Sequence, residues 1–312
     1  MKKFTIRIAI FGFISCLVYI TLMLNIENIY NEPILTSSIS FDKKMQFLKD
    51  QNLKQVNVLA IGSSMTLNNL NSESIATNYK IDGKYLNLGA WGLQMSDILI
   101  LTKYFVGKYS PKLVIISSSL TDFEIDGSYF KIPETKTLDN YFSNNYFRLY
   151  LDHVDINSYL DRNLELKNTE NGNYDYKSLN YDKYGGVYLN IPQDKIDSSR
   201  WIRKILMPKE VQYNSLKDLV DYLSENNIKL IFVQCPIKTK IDSIDIDRGI
   251  INSHINRINE IFKDKGQLFL NLLNDQLYSE IDFCDTYHLN KIASDKFTNR
   301  VIELSNLSLY LK

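Results

Sequence analysis

Five short apolar runs, most of them β-branched, limit what this chain can fold into. They are VNVLAI (Val56–Ile61), KYLNL (Lys84–Leu88), KLVIISS (Lys112–Ser118), IKLIFVQ (Ile228–Gln234) and QLFLNL (Gln267–Leu272). Runs of this kind read as strands buried on both faces. Stretches with helical spacing lie between them, at Met95–Val106, Val211–Glu225 and Ile250–Phe262, and a last one follows at Asn290–Leu304. Strands that alternate with helices predict a parallel sheet covered on both sides, a three-layer α/β/α domain. The 312 residues suffice for one such domain with a sizeable core.

The first 24 residues differ from the rest. Lys2, Lys3 and Arg7 precede an uncharged apolar run from Ile8 to Leu24, at the short end for a membrane span. Positive charge on the leading side places Met1 in the cytoplasm and the body outside, as a single-pass protein of the cell membrane. A cleaved signal peptide is the competing reading, but no small-x-small site follows Leu24. Cys16 follows FIS, a weak lipobox, yet the apolar run continues past it. The expected division is therefore an anchor over 1–24, a stem over 25–54 and the α/β domain over 55–312.

Charge excludes one class of partner. Thirty-six basic residues balance 36 acidic ones, so there is no basic excess for nucleic acid. Three cysteines, one inside the apolar run, form neither a disulfide framework nor a C-x-x-C zinc pair. Cys235 and Cys284 read as buried thiols, with a pairing of the two as the alternative. No metal or cofactor is implied.

From about 123 to 209 the strand–helix rhythm stops. This stretch is crowded with Tyr, Asn and Asp, as in NYFSNNYFRLY. A structureless loop of that length is improbable in a compact domain, and disordered linkers are poor in aromatics. It reads as an insertion with structure of its own, over one end of the sheet.

Ligands of an open parallel sheet bind at the carboxyl ends of its strands. Gly62, Ser63 and Ser64 follow the first strand, NLGAWG (Asn87–Gly92) ends the second, SSLTDF (Ser118–Phe123) ends the third, and DFCDTYHLN (Asp282–Asn290) comes after the fifth. A serine nucleophile needs a base within reach and a third group to orient that base. Asp285 and His288, three residues apart, supply base and orienter. Either serine of the pair could be the nucleophile on this reasoning alone.

The arrangement resembles an SGNH/GDSL hydrolase. That family carries Gly-Asp-Ser, then a Gly, then Gly-x-Asn-Asp, and finally Asp-x-x-His. GSSM aligns with the first block, which puts Ser64 at the nucleophile position and Ser63 in place of the usual Asp. Gly92 takes the place of the oxyanion glycine, and DTYHLN matches the last block with Asp285 and His288. The third block departs from the pattern, with Thr121 where the family has its oxyanion Asn, followed by Asp122. The resemblance implies a five-stranded parallel sheet of flavodoxin-like order. It also implies a Ser64–His288–Asp285 triad, with an oxyanion hole from Ser64, Gly92 and Thr121.

An N-terminal anchor, an outward-facing domain of this type and a DxxHLN ending further resemble anchored proteins of cell-surface polymer modification. These are the polysaccharide O-acetylation and teichoic-acid D-alanylation proteins, which work beside a membrane-bound O-acyltransferase. This implies O-acyl transfer, with acetyl as the expected acyl group, to a cell-surface glycan or glycopolymer. An esterase or deacylase on similar polymers is the first alternative, and a non-catalytic scaffold the second.

Overall fold

A computed structural model describes residues 2–29, 33–51, 53–78, 85–152, 179–196, 205–238, 245–275 and 277–306. These fall into two compact units. One comprises Met1–Ser37 with Pro133–Glu165, the other Ser38–Ile132 with Leu166–Lys312.

The first unit holds α1 (Lys2–Ile29) and two short helices from the insertion, α6 (Thr135–Phe142) and α7 (Tyr146–Asp152), which pack on each other. Within α1, Lys2–Thr21 is apolar and long enough to cross a membrane, and its side chains are exposed. A signal sequence or an anchor would look the same.

The second unit is a five-stranded parallel sheet between two layers of helices. Its elements in order are α2 (Ile39–Gln51), β1 (Val58–Ala60), α3 (Ser64–Asn69), α4 (Ser72–Asn78), β2 (Tyr85–Asn87), α5 (Met95–Tyr109), β3 (Leu113–Ser118), α8 (Glu210–Glu225), β4 (Lys229–Gln234), α9 (Asp245–Phe262), β5 (Leu268–Asn271) and α10 (Lys291–Ser305). The strand order is β2-β1-β3-β4-β5, the doubly wound flavodoxin-like order. All five apolar runs become strands. Register pairs Val58 with Tyr85 and Leu113, Leu113 with Lys229, and Ile231 with Leu268.

Period-two alternation divides the strand residues between two cores. Val58, Ala60, Leu113, Ile115, Ile231 and Val233 share one core with Met65 of α3, Ile75 of α4 and Phe297 and Val301 of α10. On the other side α5, α8 and α9 pack in succession, and Phe232, Phe262 and Phe269 lie ring against ring. The capped ends follow the residue types. Asn290 accepts from the Ala293 N–H to start α10, and α5 ends on Ser110 in the left-handed region.

Two features differ from the sequence reading. Residues 38–51, read as stem, belong to the sheet-bearing unit, with Phe41, Lys44, Met45 and Leu48 of α2 buried. The insertion is divided. Its 133–152 part lies in the first unit, while Tyr184 and Val187 join the sheet-bearing one. There the Asn87 N–H donates to Tyr184 O at 2.8 Å and the Val187 N–H to Leu67 O at 3.0 Å. This segment thus covers the open edge of β2, a position that would otherwise expose unpaired backbone. The rest of the insertion, 153–178 and 197–204, lies outside the described residues.

Candidate active site

The site starts where β1 stops. The last backbone bond to β3 runs from the Ile61 N–H to Ile115 O at 3.0 Å, and beyond it the ladder gives way to a side chain. Thr66 Oγ1 donates to Ser117 O at 2.9 Å and accepts from the Ser117 N–H at 3.0 Å. The chain turns through Gly62 and Ser63 to bring Thr66 there. A Cβ on Gly62 would lie 2.2 Å from Thr66 Oγ1, so only glycine allows the approach. Ser63 is the N-cap of α3 and its Oγ accepts from the Met65 N–H at 3.2 Å. Ser64 is the first helical residue. Its N–H has no intrahelical partner, and its side chain stands half-buried at the mouth of the turn.

The other partners come from a tight loop between β5 and α10. Phe283 and Leu289 bridge antiparallel across it, and the Cys284 N–H donates to His288 O at 2.8 Å. Asp285 organises the interior of the loop. Its Oδ1 accepts from the Tyr287 and His288 N–H groups at 2.8 and 2.7 Å. Its Oδ2 lies 2.7 Å from His288 Nδ1, and His288 Nε2 lies 2.8 Å from Ser64 Oγ. Burial pushes the Asp285 pKa up, but the adjacent imidazole and these hydrogen bonds outweigh it, leaving the carboxyl below its ordinary 3.8. Asp285 is therefore a carboxylate that only accepts. Nδ1 must carry the proton, and Nε2 is left to accept from the Ser64 hydroxyl.

Ser64, Gly92, Thr121 and His288 line one cavity of about 360 Å³, together with Ser63, Met65, Gln94, Asp122, Tyr129 and Tyr287. Gly92 has φ of 73°, a conformation that favours glycine. Thr121 Oγ1 lies 2.6 Å from Ser119 Oγ, which also accepts the Thr121 N–H at 3.3 Å. When the Ser119 proton points to Thr121, the Thr121 proton can turn toward the cavity or toward Asp122 Oδ1, 3.5 Å away. All five residues singled out in the sequence thus meet, and the neighbouring Ser63 serves as cap rather than as partner of His288.

One residue in this region, Asn69, had no sequence signal, and a second, Asp122, was read only as the residue that follows Thr121. Asn69, at the end of α3, brackets the histidine. Its Nδ2 donates to Tyr287 O at 3.1 Å and its Oδ1 accepts from the Leu289 N–H at 3.0 Å. Only the fold brings these positions together, so neighbours in sequence could not reveal it. Asp122 is buried among Ser63, Ser118 and the Ser119 N–H. Burial raises its pKa to about 7 against the hydrogen bonds that lower it.

The remaining titratable groups nearby are structural. His254 is buried between the Tyr213 hydroxyl, 2.8 Å from Nδ1, and Gln234 Oε1, 3.1 Å from Nε2, and burial lowers its pKa to about 3. Cys235 and Cys284 are buried thiols that are not joined in a disulfide, and burial pushes the Cys235 thiol up to about 12. Among the described residues no three His, Cys, Asp or Glu side chains cluster closely enough to hold a metal ion.

No protein-family model matches the chain, and neither does any curated protein. Solved structures do. A GDSL-like lipase from Bacteroides thetaiotaomicron aligns over 86% of this chain and 99% of its own, at 13% identity and a TM-score of 0.42. A catalytic mutant of an acetylxylan esterase from Geobacillus stearothermophilus aligns over 80% and 94%, at 12% identity and a TM-score of 0.38. Similarity of this degree assigns no activity, so the chemistry must be read from the side chains.

Two outcomes follow from this geometry. Asn69→Leu keeps the volume but frees both sides of the histidine loop. A small misplacement of a reacting group costs up to about a hundredfold, so kcat on an ester should fall about ten- to a hundredfold with KM little changed. Steady-state kinetics on the folded variant checks this, and wild-type kcat would exclude the role. The second outcome concerns Asp122. The unfolded chain releases its proton near 3.8, whereas the folded protein holds it to about 7. The folded state binds more protons across that window, so Asp122 removes stability as pH rises through it. Melting curves of parent and Asp122→Asn should therefore diverge in the variant's favour between pH 5 and pH 8.

Proposed function

We propose that this protein is a serine ester hydrolase of SGNH type, with Ser64 as nucleophile, His288 as base and Asp285 as its orienter. The observation that carries this reading is the continuous relay from Ser64 Oγ to His288 Nε2 and from Nδ1 to Asp285, at 2.8 and 2.7 Å, opening on a cavity. In the first step Ser64 Oγ attacks the ester carbonyl and His288 Nε2 takes the hydroxyl proton. The tetrahedral oxyanion is held by the N–H groups of Ser64 and Gly92 and by the Thr121 hydroxyl. Such donors are the largest single contribution in acyl transfer. The intermediate collapses, the alcohol leaves with the proton from His288, and the acyl group stays on Ser64. Water then attacks with His288 as base, releasing the acid and restoring the serine.

At about 360 Å³ the cavity is at the small end of ligand sites, which suits a short acyl group such as acetyl. Hydrolysis is preferred here over transfer to a glycan because the pairing of Ser64 with His288 at an open cavity asks for nothing beyond water. O-acyl transfer needs a further site for an alcohol. Residues 153–178 and 197–204 of the insertion lie outside the described residues.

The test is a competition. With a soluble acetyl ester the parent should release acetate, and a fluorophosphonate should label Ser64. Ser64→Ala should abolish both, and His288→Ala should cut turnover at least a thousandfold, on the order seen when a serine-enzyme base is removed. Full turnover in either variant excludes the mechanism. Oligosaccharide acceptors added to the same reaction show whether acyl glycan replaces free acid, the result that would restore the transferase reading.

The exposed apolar span Lys2–Thr21, with Lys2, Lys3 and Arg7 at its leading end, supports a membrane anchor with the active site outside the cytoplasm. A reporter that works only outside, fused after Lys312, should be active and sediment with membranes. Activity in the medium, on protein that begins shortly after Leu24, would identify a signal peptide instead.

A further inference from the structure

We infer that Ser40 and Lys44 of α2 are positioning residues that fix the oxyanion loop carrying Gly92. This rests on the reading above, in which the Gly92 N–H stabilises the oxyanion. The loop from Leu88 to Gly92 is held on its sheet side by backbone. The Leu88 N–H donates to Ala60 O at 2.6 Å and the Ala90 N–H to Gly62 O at 3.1 Å. Gly89 is pinned by Asn87, whose Oδ1 accepts its N–H at 2.8 Å, and a Cβ there would lie 2.5 Å from Leu67 N.

The opposite side of the loop is held by α2. The Trp91 N–H donates to Ser40 Oγ at 3.1 Å, and Ser40 is wholly buried. That peptide immediately precedes the Gly92 peptide. Fixing it leaves only the Trp91 dihedrals to aim the next N–H.

One turn along, on the same helical face, comes Lys44, also wholly buried. Its Nζ donates to Asn87 O at 3.1 Å and to Gly185 O, and lies 4.2 Å from the centre of the Tyr181 ring. The Tyr181 hydroxyl in turn donates to Ser40 O at 3.3 Å. Lys44 therefore ties the end of β2, where the oxyanion loop begins, to the segment that covers the β2 edge.

The site is built around this amine. Gly185 has φ of 94°, and a Cβ on it would come within 2.6 Å of Asn87 O and 3.3 Å of Lys44 Nζ. A buried cation is expensive, and an apolar side chain of equal length would fill the space at lower cost. What lysine adds is donors, which its two carbonyl acceptors use. Burial lowers its pKa to about 7, against the opposing field of Asp182, and the amine remains a donor in either state. Neither Ser40 nor Lys44 lines the cavity, so both act through the backbone.

The variants are Ser40→Ala, Ser40→Thr and Lys44→Met. Each is measured for melting temperature, for ester kcat and KM per fluorophosphonate-titrated site, and for amide hydrogen exchange at Trp91 and Gly92. Removing an oxyanion donor outright costs about a hundred- to a thousandfold, and misaiming one should cost less. Ser40→Ala should lower kcat about tenfold with KM within about twofold, and speed exchange at both amides. Ser40→Thr should keep both near the parent. Lys44→Met should follow Ser40→Ala where it folds, and Ser40→Ala decides where it does not. Unchanged kcat per titrated site together with unchanged exchange overturns the inference, as does a loss confined to melting temperature. A parent that neither turns over ester nor takes the label refutes the hydrolase reading instead. Exchange at Trp91 and Gly92 then still decides whether α2 holds the loop.

Discussion

The hydroxyl of Thr66 is the contact on which the geometry of the site depends. β1 has three residues and β3 has six, so the Ser117 peptide groups of β3 outrun their neighbour. A buried peptide group left unpaired costs about 1–3 kcal/mol. Thr66 takes both groups, donating to the carbonyl and accepting from the N–H. A side chain from the first turn of α3 thereby occupies the place of a strand residue. The chain can deliver it only by reversing within Gly62 and Ser63, and that reversal leaves Ser64 at the outer edge of the turn. The placement of Ser64 and the termination of the sheet are one structural event.

The sheet was legible in the sequence because β1 to β4 are buried almost throughout, and β5, though only half-buried, is written in the same apolar residues. The exact ends of the strands were not. β1 keeps its full pairing only over Val58–Ala60: the Ile61 N–H still donates to Ile115 O, but Thr66, five residues on, takes the Ser117 N–H in place of the Ile61 carbonyl. The α4 helix, SESIATN, lacks an apolar stripe long enough to signal itself. Of the site, the serine pair, Asp285 and His288 could be read from strand ends and short spacings, and Gly92 and Thr121 from the resemblance to the SGNH/GDSL blocks. Asn69 and Ser40 could not, because each acts on a backbone that is remote in sequence. Lys44 was hidden for another reason. A lysine on an amphipathic stretch reads as solvent-facing, and its burial depends on the carbonyls of Asn87 and Gly185, the Tyr181 ring and the charge of Asp182.

These polar residues share a division of labour. Contacts within the histidine loop are local: Asp285 binds N–H groups two and three residues ahead and orients the imidazole that belongs to the same turn. Local contacts form with little loss of chain entropy, which makes the Asp–His pairing inexpensive to hold. They fix the loop's shape but not its place. Place comes from Asn69, whose amide grips the loop on either side of His288 while its backbone continues the helix that begins at Ser64. Ser64 and His288 are thus referenced to the same six-residue helix.

The oxyanion side follows the same logic from the opposite direction. Gly92 must adopt a positive φ, so its own side chain can contribute nothing to its placement, and the loop around it is rich in glycine and alanine. A loop with so few side chains must be held by its peptide groups. The sheet supplies acceptors at Ala60 and Gly62, and α2 supplies one more at Ser40. The acceptors at 60 and 62 belong to the strand and turn that set Ser64, so Ser64 and Gly92 are registered to each other through two hydrogen bonds. Ser40 fixes the remaining freedom, the tilt of the loop away from the sheet. That tilt decides where the Gly92 N–H points, and it is governed by a helix that precedes every block of the catalytic pattern.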